Sequence, residues 1–511
     1  MMVARTLSVA LLGMSGAVVE VEAHIADAIP GFQLIGLPDA ALSDAKDRVR
    51  AAAANDGCAL PAKKIVVNLS PASLPKQGST YDLAIAVAVL AAEGVIPASA
   101  IGAVVHLGEL SLDGRVRPMQ GALPAIVAAR AAGYRRFVVP AGNAAEALLV
   151  PDVEIVTVAS LRQTLIHHGA VLEPTSVDPL TLPVAPAPPA PDGDLADVVG
   201  NADAVEALVV AAAGGHHLLM LGPPGAGKTM LAQRLPALLP DLDAEQSLVV
   251  TSVSSLAGRP LNGLITRPPL ESPHHTSSAA ALVGGGSKVI RPGAAARAAH
   301  GILFLDEAPE FPSSVLDALR QPLESGTIVI HRASATARFP GRFQLVLAAN
   351  PCPCGQYGAG DVPCTCSPLS RRRYLGRLSG PLLDRVDLQL RVNRVTTSAV
   401  RMTDDDLPRT TTASARARVE NARAVARARL SATPWKTNAE VPGSWLRSRP
   451  RRLPPATSGP IDRALERGTL TMRGYDRVLR VAWTLADLDA VPSPAPDHVG
   501  WALFLRKSVS A

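Results

Sequence analysis

The chain has 511 residues, 48% hydrophobic and only 3% aromatic, with a formal net charge of +6. That length provides for about three or four domains, and so few aromatic rings exclude base stacking as the main binding device. The positive balance permits an anionic partner without identifying one. No stretch reaches the roughly 18 consecutive apolar residues of a membrane span, so no membrane partner is expected.

Residues 1–19 carry one arginine and an apolar middle, as a signal peptide does. They run straight into the alternation of residues 18–24, which reads as a strand, with no small-residue cleavage site between. The expected location is cytoplasmic. Short β-like runs at 64–68, 104–107 and 137–139 alternate with Ala-rich helical stretches, defining an α/β domain over 1–172. Residues 173–194 form a linker, Pro-rich over 183–191 and therefore extended and semi-rigid.

A second domain is expected over 195–395. A helix and the apolar strand 217–221 lead into Gly222, Pro223, Pro224, Gly225, Ala226, Gly227, Lys228 and Thr229, followed by a helical pattern. Strand, glycine loop and helix N-terminus are the setting of a phosphate-binding loop. Its glycines let backbone N–H groups turn toward a polyphosphate, and the helix dipole adds positive charge there. Lys228 reaches the β/γ-phosphates, and the Thr229 hydroxyl ligates Mg²⁺. The cofactors expected are ATP and Mg²⁺.

The apolar run 301–305 ends in Asp306 and Glu307, at the strand end where open α/β sheets place their ligands. Asp306 is placed to hold Mg²⁺ through water, and Glu307 to orient and deprotonate the attacking water; γ-phosphate hydrolysis asks for little beyond positioning and charge. A third apolar strand, 344–350, ends at Asn350. Next comes a loop with two Cys-x-Cys pairs, Cys352 with Cys354 and Cys364 with Cys366. Four thiolates suit a closed tetrahedral Zn²⁺ site; an unliganded thiol loop and a redox or iron–sulfur role are the alternatives. Such a metal would stiffen the connection from Asn350 to Arg385. The remaining cysteine, Cys58, reads as a small buried apolar residue. Residues 396–511 are helical and Arg-rich, with Arg416, Arg418, Arg423, Arg427 and Arg429 on one helix. A solvated charged face is expected of it, and nucleic-acid contact is the alternative.

These motifs, in this order, resemble the AAA+ ATPases, in which a polar residue at the position of Asn350 senses the γ-phosphate. More narrowly, Pro273-His-His275, residues 281–286, Asn350-Pro-Cys-Pro-Cys-Gly355, residues 379–387 and residues 473–482 resemble the magnesium-chelatase-like ComM/YifB family over nearly the whole chain. The resemblance implies a parallel-sheet ATPase domain with a helix-2 insertion, a β-hairpin before the sensor strand, and a C-terminal helical lid. The hairpin is expected from 326–330 and 338–343, its tip near 333–336. In ring helicases of this branch such hairpins face DNA in the central channel, which makes Arg332, Arg338 and Arg342 candidates for phosphate contact. Arg385 resembles the arginine finger that reaches a neighbouring subunit's γ-phosphate, and Arg473 the second sensor, with Arg477 as the fallback. A finger in trans implies a homo-hexamer. The chain departs from the family at Pro269-Leu-Glu-Ser272 and at Ala294, both outside the phosphate site.

The N-terminal domain resembles the proteolytic domain of Lon, an α+β fold, through residues 75–82 and 108–116. Aligned on these, the serine position falls at Thr80 and the lysine position at Pro124, which cannot act as a base. A binding or assembly module is expected in place of a peptidase. The leading functional expectation is a DNA motor, by resemblance a branch-migration helicase of recombination and natural transformation. A chelatase-type motor acting on a protein partner is the alternative, and an ATP-dependent protease the least favoured.

Overall fold

A computed structural model of the chain describes residues 3–36, 39–76, 78–181, 193–286, 290–332, 336–358, 363–395 and 409–507. The Pro-rich run 183–191, most of the hairpin tip and the segment 396–408 lie outside the described residues.

The N-terminal sheet has seven strands: β1 Val3–Leu12, β2 Ser15–Ala26, β3 Gly31–Ile35, β4 Lys64–Ser70, β5 Val104–His106, β6 Arg136–Pro140 and β7 Glu154–Val158, in the order β3-β4-β2-β1-β5-β6-β7. β2 pairs antiparallel with β1 and β4, and the other pairings are parallel. The alternation read from the sequence is real: Val19, Val21, Ala23 and Ile25 of β2 are buried. Helix α1 (Asp82–Glu93) has every residue but the last buried, and it packs on β1 and β2 with helix α2 (Ala122–Ala131). Pro124 lies inside α2 and is itself buried.

A second sheet carries the phosphate loop. Helix α3 (Ala202–Gly214) precedes β8 (Leu218–Leu221), and helices α4 (Lys228–Leu238) and α5 (Ala244–Leu256) follow it. Next come β9 Leu270–Glu271, β10 Ile302–Leu305, the hairpin strands β11 Thr327–His331 and β12 Thr336–Pro340, then β13 Gln344–Ala349, helix α6 (Pro368–Leu375) and β14 Leu388–Arg391. The five-stranded sheet runs β9-β10-β13-β8-β14 and is parallel throughout. β8, β10 and β13 are buried on both faces, so they read as unbroken apolar runs instead of alternating.

Four longer helices close the chain: α7 Thr412–Leu430, α8 Pro455–Glu466, α9 Met472–Leu488 and α10 Pro496–Lys507. Leu208, Met220 and Val346 of the sheet domain share one core with Val419, Leu479 and Val499 of these helices. Four of the five arginines of α7 serve this packing, while Arg427 is exposed and donates to the Arg423 carbonyl of its own helix. Arg418 pairs with Glu206 of α3, Arg416 with Asp241 and Glu420, and Arg429 with Asp487 and Asn438. Arg423 donates to the Ala212 carbonyl, and burial pushes its pKa down to about 10. This face is therefore a bracket between helix and sheet domain, not the solvated face expected from its composition.

The N-terminal domain docks on the domain of the second sheet at two places. The Gly121 N–H donates to the Ser255 carbonyl of α5, and the Ser255 hydroxyl bonds Glu146. At the second, the β1–β2 turn pairs with hairpin strand β12, where Met14 N–H donates to the Arg338 carbonyl at 3.0 Å. Gly13 there has φ +64, and a Cβ would lie 2.5 Å from the Arg338 oxygen, so both backbone angle and close approach require glycine.

Candidate active site

Strand register assembles the site. Leu221 of β8 faces Ala349 of β13, so the next residues along, Gly222 and Asn350, are neighbours, and Gly222 N–H donates to the Ala349 carbonyl at 3.1 Å. Leu305 of β10 faces Leu347, which brings Asp306 and Glu307 to the same sheet edge. Three motifs spread from Gly222 to Asn350 along the chain thus become three adjacent strand ends.

In the loop, Gly225 (φ +76) and Gly227 (φ +88) hold the left-handed conformation that turns successive N–H groups inward. A Cβ at Gly225 would meet nothing within 4 Å, so space stands open beside it. Lys228 opens α4 and is buried. Its Nζ donates to the carbonyls of Gly222 (2.7 Å) and Pro223 (2.9 Å) and to Asn350 Oδ1 (3.1 Å), which uses all three ammonium protons. Burial lowers its pKa, while Asp306 and Glu307 oppose the shift. Thr229 Oγ1 donates to Asp306 Oδ2 at 2.6 Å. This hydroxyl–carboxylate pair beside the loop offers the hard oxygen donors that Mg²⁺ takes, so the residues fit that ion. Thr229 and Asp306 would hold the ion there, where it would supply positive charge against phosphate oxygens.

Glu307 sits in the left-handed region at φ +51, a conformation that costs a non-glycine residue about 1–3 kcal/mol. Its carboxylate is exposed, and Oε2 lies 3.2 Å from His275 Nδ1. His275 belongs to a motif that the sequence offered only as a family likeness, with no chemistry attached. The structure gives it a contact: it lies against the Glu307 carboxylate, the group the sequence offers as a base. Its ring also stacks against His274, centroids 4.1 Å apart.

Arg385 is buried in its own subunit, donating to the Pro381 carbonyl and the Glu324 carboxylate. Burial first, then the guanidiniums of Arg473, Arg320 and Arg477, lower its pKa. The reach to a neighbouring subunit expected from the sequence would require this side chain to give up Glu324. On α9, Arg477 is committed to Asp387 and the Asp384 carbonyl, while Arg473 is exposed. Between the two candidates for second sensor, Arg473 is the one at the surface.

The hairpin is shorter than the sequence implied, ending at Pro340 and not at 343. Gly341 N–H closes onto the Gly326 carbonyl, and the chain turns away into β13. Arg342 therefore leaves the ladder; its stem lies over Gly326 and its guanidinium is 3.9 Å from Glu440. Arg332 and Arg338 remain on the hairpin with exposed side chains. The four clustered cysteines come together, their Sγ atoms all within 4.8 Å of one another. Cys58 is buried, as its isolation in the sequence implied. No helix among the described residues is long and apolar enough to cross a membrane.

A parallel sheet with a phosphate loop, an acidic pair and a polar asparagine on neighbouring strand ends, closed by a helical domain, defines an AAA+-type P-loop ATPase. Family models agree with that class: "Magnesium chelatase, subunit ChlI" matches residues 194–400, "Subunit ChlI of Mg-chelatase" residues 21–143, and "Magnesium chelatase, subunit ChlI C-terminal" residues 409–506. An uncharacterized protein of Mycobacterium tuberculosis is 49% identical over 99% of both chains. The competence protein ComM of Haemophilus influenzae is 40% identical over 100% of this chain and 98% of its own, and YifB of Escherichia coli 39% identical over 97% and 96%. The chain belongs to the ComM/YifB family of magnesium-chelatase-like ATPases.

Proposed function

We propose that this chain is the subunit of a hexameric, ATP-driven ring that moves DNA strands, a branch-migration motor acting on junctions in recombination and transformation. The observation that carries the reading is the continuity between hairpin and sensor. The arginine-bearing hairpin β11–β12 runs through a short turn into β13, and the residue just past β13 is Asn350, which touches Lys228. A nucleotide entering the loop takes over the ammonium that Asn350 now shares, and β13 links that exchange to the hairpin. Lys228 binds the β/γ-phosphates, Thr229 and Asp306 serve Mg²⁺, Glu307 deprotonates water, and Arg385 and Arg473 stabilise transferred charge. Arg332 and Arg338 contact the DNA backbone, and Arg342 contributes less because it faces Glu440.

The competence name of one relative supports DNA as the track. A motor that remodels a protein partner is the second reading. It draws on the 38 kDa magnesium-chelatase subunit of Rhodobacter capsulatus, 30% identical over 36% of this chain and 55% of its own. Steady-state ATPase with and without branched DNA separates the two. Stimulation supports the DNA motor, and an unchanged rate supports the protein-remodelling reading.

A further inference from the structure

The loop between Asn350 and α6 contains four sulfurs arranged as no packing argument requires. Cys352 Sγ lies 3.3 Å from Cys354 Sγ and 3.6 Å from Cys364 Sγ, and Cys354 Sγ lies 3.7 Å from Cys364 Sγ. A disulfide would bring two sulfurs to about 2.05 Å, and all four are free. Tetrahedral coordination with Zn–S bonds of about 2.3 Å places ligand sulfurs about 3.8 Å apart. These three separations lie near that edge and far from a covalent bridge, and Cys366 Sγ lies within 4.8 Å of the other three. Cys354, Cys364 and Cys366 are only half-buried, so apolar burial does not gather them. Among the described residues from 351 to 366 there is no helix or strand to hold the loop in shape.

The loop also rests on the nucleotide site. Gly355 N–H donates to the Cys352 carbonyl at 2.9 Å, closing a turn in which Gly355 has φ +76. A Cβ on Gly355 would lie 2.5 Å from Cδ of Pro224, so the cysteine turn sits directly on the phosphate loop. Cys352 follows Asn350 by two residues. One residue past Cys366, Ser367 caps α6, whose Arg371 guanidinium lies 3.9 Å above the Tyr357 ring of the same loop.

We propose that Cys352, Cys354, Cys364 and Cys366 hold one Zn²⁺ in a closed structural site that braces Asn350 and Pro224, making nucleotide affinity depend on the metal. Each thiol gives up its proton as its sulfur binds, leaving four thiolates and no open coordination position for catalysis. The bracing half of the proposal rests on the ATP-site reading above; the metal half does not. Both are read without DNA, so they stand or fall separately from the DNA-motor reading.

The test begins with metal analysis of the freshly purified full chain, where about one zinc per chain is expected, as for a closed four-cysteine site. The pair Cys364→Ser and Cys366→Ser removes it, and Cys58→Ser does not. Zinc is then stripped from the unaltered protein with a mercurial, and binding of a fluorescent ADP analogue is measured before stripping, after it, and after zinc and thiol are returned. Affinity is expected to fall at least about tenfold, the worth of one charge-assisted hydrogen bond, and to recover with zinc. Stripping and restoring the parent protein decides the matter even if the serine variant fails to fold. Fresh protein with no metal, or with iron in place of zinc, overturns the site. Unchanged ADP affinity after complete zinc loss overturns the brace.

Discussion

Acid should loosen the nucleotide domain through His217, by an amount the structure sets. His217 stands just before β8, and its Nδ1 accepts a hydrogen bond from Leu345 N–H of β13 at 3.0 Å. Its own backbone N–H donates to Asp387 Oδ2 at 3.1 Å. The ring must be neutral at Nδ1 to accept, so a proton there turns a bond between the loop strand and the sensor strand into a clash of donors. Burial lowers its pKa most; Asp387 pulls it back, and Arg477, His216 and Arg480 push it down again, from the ordinary 6.5 to about 4. Between those values the unfolded chain binds the proton and the folded chain does not. Stability is therefore whole above pH 6.5 and is lost as pH falls toward 4. At about 1.36 kcal/mol per unit the full effect comes to about 3–3.5 kcal/mol, with about 2 kcal/mol lost by pH 5. His217 as a residue is only partly buried, so these are upper values. Urea unfolding of the transition that ADP stabilises, at pH 7.5, 6, 5 and 4.5, measures the loss. His217→Asn keeps an acceptor and removes the titration, and it should be flatter than the parent by that amount. Equal slopes in the two proteins would refute the reasoning.

Other expectations concern the chemistry and its assembly. Lys228→Ala should reduce binding of a fluorescent nucleotide below detection, and retained affinity would remove Lys228 from the site. Glu307→Gln should keep nucleotide binding while turnover falls about 10²–10⁴-fold, the usual worth of a general base; parental turnover would exclude it from that role. Arg385→Ala should bind ATP normally and hydrolyse it slowly, and mixing it with Lys228→Ala should restore part of the rate, since the defects fall on opposite sides of a shared interface. Full ATPase in a dilute monomer would contradict a finger in trans. Replacing Arg332, Arg338 and Arg342 with Ala should weaken DNA binding regardless of sequence and flatten its salt dependence, by about 0.9 for each phosphate no longer neutralised, with basal ATPase intact. Unchanged DNA affinity would exclude the hairpin as the element that grips the track.

The phosphate loop, the acidic pair and Asn350 were legible in the sequence because each is a local string whose chemistry follows from strand, loop and residue type. Their meeting depends on strand order and register, which no local string encodes, and β13 lies between β8 and β10 although it follows both in the chain. The α7 arginines were misread for a related reason. Composition shows charge on a helix, but Glu206, Ala212 and Asp487, which take up that charge, lie far away in sequence. Arg342 left the hairpin because Gly341 turns the chain onto Gly326, a closure a propensity argument does not contain. His275 carried no chemical signal of its own until folding set it beside Glu307. The burial of Arg385 was likewise hidden, since an arginine's partner is decided by packing around Glu324.

The central claim, that ATP hydrolysis in this chain moves DNA, is tested most directly on a synthetic four-way junction. Fluorescently labelled arms report separation in real time with the full chain, Mg²⁺ and ATP. The account predicts junction processing by the parent protein, none by Glu307→Gln at equal junction occupancy, and none when ATP is replaced by a non-hydrolysable analogue. Junctions left intact by an ATP-hydrolysing parent, or processed equally by Glu307→Gln, would contradict it.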